Sequence, residues 1–162
     1  MKRFIRIVLK STAVIGLLLC MAATWFYFEV WIPHRTIANV FLWDPDYGFQ
    51  GEMPREKIRN ASHKVLRNWF VGDHSAFLAL GKVGNKDSIP ILIRALKRQN
   101  VERPNEKGTS GLCSNCIVSL RKLTGMNFHD DHEQWENWWQ QTGRHLPFDE
   151  EKGTLVLPEK AE

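Results

Sequence analysis

Cys113-x-x-Cys116 and His129-x-x-His132 stand twelve residues apart, a spacing close to that of a zinc-binding finger. Such a finger needs three to five residues between its histidines and a strand hairpin to carry its cysteines, whereas here the histidine gap is two and the cysteines open a helical pattern. Cys116, Leu120 and Leu123 follow one helical stripe with Cys113 a turn earlier, so the thiols read as small core residues and no metal is assigned. A redox reading remains beside it. Ser110 can cap this helix and place Cys113 in its first turn, where the helix dipole and free N–H groups lower a thiol pKa; in an oxidising compartment Cys113 and Cys116 form a candidate local disulfide. Thioredoxin-type catalysis would also require a strand before the helix, and the sequence supplies none.

Elsewhere the chemistry is thinner. His129, Asp130, Asp131 and His132 precede a helix containing Trp135, Trp138 and Trp139, and Asp130 or Asp131 is most simply its N-cap. The tryptophans, with Phe128, read as a seal on the last helices, with a ligand-stacking platform as the competing use. Asp44 and Asp46 fit a turn better than a calcium site, which needs more oxygens. No nucleophile, acid–base pair or cofactor-binding loop emerges, so the expected function is non-catalytic and without cofactor. The candidate contact residues are the polar ridge Arg94, Lys97 and Arg98 and the loop from Asn100 to Ser110 with its Arg103 and Glu106.

The elements that carry these residues are helices. From Asp73 to Arg98 the chain reads as two amphipathic helices around a short turn: Phe77, Leu80 and Val83 make the first stripe, and Gly81 and Gly84 are expected to release that helix. Asp87 or Ser88 caps the second, Pro90 falls in its first turn, and Ile89, Leu92, Ile93 and Leu96 form its buried face. An earlier helix runs from Pro54 to about Phe70, with Ile58, Val65, Leu66, Trp69 and Phe70 on one side and Arg55, Lys57, Arg59, Lys64 and Arg67 on the other. That helix is strongly basic, and residues 130–162 are acidic.

The stretch ALGKVGNKDSIPILIRALK resembles a HEAT repeat, in particular the HEAT-like repeats of phycobilisome-lyase-type proteins. CIVSLRKLTGMNF followed by DHEQWENWW resembles the terminal repeat of such proteins, with a Leu-Thr-Gly turn leading into a Trp-rich helix. The resemblance covers about residues 73–143 and implies an all-α fold, a short α-solenoid of HEAT-like helix pairs whose usual task is to hold a protein partner. The linker 100–110 is longer and more polar than the turns usual between such repeats. Related repeats in bilin lyases keep open an accessory role to such enzymes, and Cys113 with Cys116 keeps open an envelope thiol-redox or metal-binding protein.

The chain has 162 residues, 43% of them hydrophobic, room for one small domain and a membrane segment. The net charge is +4, but four of the positives, Lys2, Arg3, Arg6 and Lys10, sit at the extreme N-terminus; from Pro33 onward 18 basic residues face 17 acidic ones, a poor footprint for nucleic acid. Ser11 to Phe28 is free of charge, and residues 11–32 as a helix span roughly 33 Å, enough for a bilayer core. Trp25, Tyr27 and Trp31 suit an interface, and the basic cluster before the span predicts a signal-anchor with a cytoplasmic N-terminus and an extracytoplasmic domain. A cleaved signal peptide is the rival, although Cys20-Met21-Ala22 is a poor cleavage site. The expected organisation is a basic N-terminus (1–10), a transmembrane helix (11–32), an aromatic connector (33–53), a helical domain (54–143) and an acidic tail (144–162), in which Leu155 to Leu157 either form a short strand or cover exposed repeat surface.

Overall fold

The computed structural model describes residues 2–43, 54–68, 74–102 and 111–158. The chain begins as one unbroken helical run: α1 (Lys2–Phe26), a π-helical turn (Tyr27–Trp31) and α2 (Ile32–Trp43). Within it Val14–Ala38 is long and apolar enough to cross a membrane, and its most apolar window contains no buried residue. Leu17, Leu18, Leu19 and Met21 all face outward, an arrangement that water penalises and a bilayer does not.

The aromatic connector expected from Pro33 is instead helical as far as Trp43. A proline inside a helix removes one N–H, so a boundary at Pro33 is the natural reading of the sequence. Two features let the helix continue. The π-turn widens the backbone just before Pro33, with the Ile32 N–H donating to the Tyr27 carbonyl five residues back. The Glu29 carbonyl, which Pro33 would ordinarily serve, accepts instead from Asn68 Nδ2 at 3.0 Å. Pro33 and, one turn on, Ile37 then point into the domain, and Ile37 is wholly buried. The turn expected at 44–48 lies outside the described residues.

Five further helices follow: α3 (Arg55–Arg67), α4 (His74–Val83), α5 (Ser88–Glu102), α6 (Gly111–Thr124) and α7 (His132–Gln141). Helices two apart in the chain are neighbours, α2 with α4, α3 with α5, α4 with α6 and α5 with α7; α3 also packs on α2 and α4, and α6 on α5. Side-chain contacts fix their directions. His74 meets Asn115, Ser119 Oγ donates to the Phe77 carbonyl at 2.7 Å, and Gly84 lies against Leu123, so α4 and α6 run parallel. His63 meets Ser88 and Arg98 reaches Leu66, so α5 lies against the C-terminal half of α3.

Burial follows from pattern. On α3, Ile58, Ala61, Val65 and Leu66 are buried while Arg55, Lys57, Lys64 and Arg67 are exposed. Trp69, Phe70 and Asp73 lie outside the described residues. In α5, Ile89, Ile91, Leu92, Ile93, Ala95 and Leu96 are all buried, because this helix packs against α3, α6 and α7 at once. Gly81 does not release α4 as the sequence suggested; it lies within the helix, and a Cβ there would stand 2.7 Å from Ser119 Oγ. Its bareness lets α6 approach. Gly84 ends the helix, its N–H bonded to the Leu80 carbonyl at 2.8 Å.

Past α7 a 3₁₀ turn (Gly143–His145) leads to a two-strand hairpin, β1 (Phe148–Asp149) and β2 (Thr154–Leu155), antiparallel with Phe148 opposite Leu155. The segment expected as an acidic tail is thus folded to Pro158. Leu155 is buried beside α6, and Thr154 Oγ1 donates to the Leu123 carbonyl at 3.2 Å, so this short strand covers the end of the helical array. Lys86 Nζ adds a bond to the Leu146 carbonyl at 2.6 Å. At the hairpin tip the amides of Lys152 and Glu151 donate to Asp149 Oδ1, and the Lys152 amide above all holds that carboxyl below its usual range.

Candidate functional site

The helices separate the residues that sequence spacing had joined. Cys116 is fully buried on α6, its Sγ donating to the Leu92 carbonyl of α5 at 3.3 Å, while His129 lies beyond the end of α6 and His132 opens α7. Among the described residues no three His, Cys, Asp or Glu side chains gather closely enough to hold a metal ion. The backbone of Cys113 belongs to α6, but its side chain lies outside the described residues, and so does any pairing with Cys116.

The triple-tryptophan segment is built as a plug. Asp131 is the N-cap of α7, its Oδ1 accepting from the amides of Glu133 and Gln134 at 3.1 and 3.0 Å. Trp135 is completely buried, Phe128 meets it edge-on at 4.9 Å between centroids, and Trp138 follows at 6.2 Å. The indole N–H of Trp135 donates to the His129 carbonyl at 3.0 Å, and His129 adopts a positive φ of 52° where the chain turns into α7. With Trp135 at 0% exposure and Trp139 at 8%, neither indole offers a face to a ligand.

Of the ridge residues, Arg94 and Lys97 are exposed on α5. Arg98 is engaged: its guanidinium donates to the Leu66 carbonyl, satisfying the C-terminal end of α3. Arg103 and Glu106 lie outside the described residues.

The sequence reading missed two places. The first is His63, whose Nε2 lies 2.8 Å from Ser88 Oγ in the interior. Ser88 Oγ also accepts from the Asn85 amide at 3.0 Å and bonds Asn85 Oδ1 at 3.1 Å. A serine hydroxyl against an imidazole resembles a nucleophile and its base, yet Ser88 has no exposed surface and every contact it makes belongs to the α4–α5 turn or to His63. The group ties α3 to the start of α5. Burial lowers the His63 pKa to about 4, helped by Arg67 and Arg59 and opposed by Asp87. The signal was present in sequence, since His63 falls on the apolar stripe of α3 between Ala61 and Leu66.

The second is an apolar pair on the outer side of α4 and α6. Leu78 and Val118 are exposed large hydrophobics outside the membrane-length helix, and they flank in sequence the Phe77–Ser119 contact that sets the two helices in register. Lys82, Ser114, Arg121 and Lys122 are exposed on the same two helices. Leu78 and Val118 thus stand exposed beside the same contact between two adjoining helices.

Compared with known proteins, the chain matches no family model, no curated protein and no solved structure.

Proposed function

We propose that this chain is a membrane-tethered, non-catalytic module that holds a protein partner, its helices forming a short α-solenoid of HEAT-like pairs. The observation that carries the reading is the alternation of the helices: elements two apart in the chain are neighbours, and α4 and α6 run parallel, as the helices of stacked pairs do. The exposed apolar surface of α1 supports the tether, and Leu78 with Val118 supports a protein partner on the layer of α4 and α6. The basic residues before the span favour a cytoplasmic N-terminus, with the helical domain on the other side.

Cross-linking of the full chain in native membranes, read by mass spectrometry, tests the scaffold. A partner linked through α4 or α6 is expected, and Leu78→Glu with Val118→Glu should abolish that link while leaving the folded fraction unchanged. Links confined to lipid-facing positions of α1 would sink the scaffold reading. A reporter fused after Glu162 that is active only in the cytoplasm would reverse the topology.

A further inference from the structure

We propose that the end of the helical domain from which the anchor emerges is a membrane-surface site that binds anionic phospholipid headgroups. The inference rests on the membrane-anchor reading. Its geometry begins at Glu29, the residue directly after the charge-free run from Ser11 to Phe28. The Glu29 side chain takes Lys64 Nζ at 2.7 Å, and its carbonyl takes Asn68 Nδ2 at 3.0 Å. The C-terminal end of α3 therefore stands at the level where the apolar run stops. Exposed aromatic rings mark the same level: Tyr27 stacks on Trp31 at 5.1 Å, and the Arg35 guanidinium lies 5.1 Å from the Trp31 ring. Interfacial tryptophan and tyrosine belong at headgroup depth.

α5 brings further cations to this end. Arg98, just before the last turn of α5, reaches the Leu66 carbonyl, and Lys97 precedes it. Arg35, Lys64, Arg67 and Arg98 thus lie around the junction of α2 with the C-terminal end of α3, Lys97 stands next to Arg98 in α5, and Glu29 is held by Lys64. A lipid phosphate layer is the anionic partner that this end meets, because the helix from the span into the core is unbroken and leaves no slack.

The test is lysine acetylation footprinting of the full chain in lipid nanodiscs, either purely zwitterionic or rich in phosphatidylglycerol. Lys97 reports the basic end, and Lys122 on α6, exposed at the far end, is the internal control. Anionic lipid should lower Lys97 modification about fivefold and leave Lys122 unchanged, and the shielding should vanish in high salt and in an Arg35→Glu, Arg67→Glu double variant. Equal Lys97 modification in both discs would overturn the headgroup site while leaving the anchor intact. Equal shielding of Lys97 by inorganic phosphate in detergent would replace the bilayer surface with a small-anion site and also overturn it. Failure of the chain to enter discs, with release from native membranes by alkaline carbonate, would instead remove the anchor, and the proposal with it.

Discussion

His63 is neutral in the folded chain at ordinary pH because the interior disfavours its charged form. The unfolded chain has no such restraint and takes up a proton near pH 6.5, so stability is fully present above that pH and declines until the folded form also protonates near 4. Across that window the loss attributable to His63 is on the order of 2 kcal/mol, solvent screening reducing what the full shift would give. Urea denaturation between pH 7 and 4 should show it, and His63→Gln, which retains a partner for Ser88, should flatten this part of the slope. Gly81→Ala poses a different contest at the same scale. Alanine gains roughly 1 kcal/mol of helix propensity, but its Cβ would meet Ser119 Oγ at 2.7 Å, an atom already tied to Phe77. Overpacking wins, and a net destabilisation of about 1–2 kcal/mol is expected from the denaturation midpoint.

Among the elements, α7 is the one most dependent on a single side chain. Trp135→Ala should cost about 3–5 kcal/mol, whereas Asp131→Ala, which removes only the N-cap, should cost about 1 kcal/mol. A thermal melt of each variant separates the two, and equal shifts would mean that α7 is not anchored through its indole. The periodic stripes of α3, α4, α5 and α6 and the capped start of α7 were legible in the sequence, because apolar spacing and capping are local properties. α2 was not legible. Its continuation through Pro33 depends on Asn68, thirty-five residues later, supplying the donor that proline lacks. The role of Gly81 escaped for the same reason, since only the arrival of α6 explains it. Leu78 and Val118 were visible singly; their adjacency exists only once α4 and α6 lie parallel.

For the whole molecule, the boundary between the membrane-length helix and the domain falls inside one helical run. A fragment beginning near residue 30 keeps Pro33 and Ile37 in place, while one beginning at Pro54 strips α2 from the faces of α3 and α4. The longer fragment should be more stable by about 2–4 kcal/mol in chemical denaturation, the cost of losing a large buried side chain and its neighbours. Equal stability would show that α2 is an appendage. The same unbroken helix has a mechanical meaning. A flexible tether would let a membrane-length helix spin beneath its domain, but here the outward face of α1 is geared to the face that α2 turns to α3. One alanine inserted between Phe28 and Glu29 would rotate the span by about 100° against the bundle and lift it about 1.5 Å. Any transmembrane neighbour of α1 would then fall out of step with whatever the domain holds, so contacts within the bilayer and contacts outside it should be lost together.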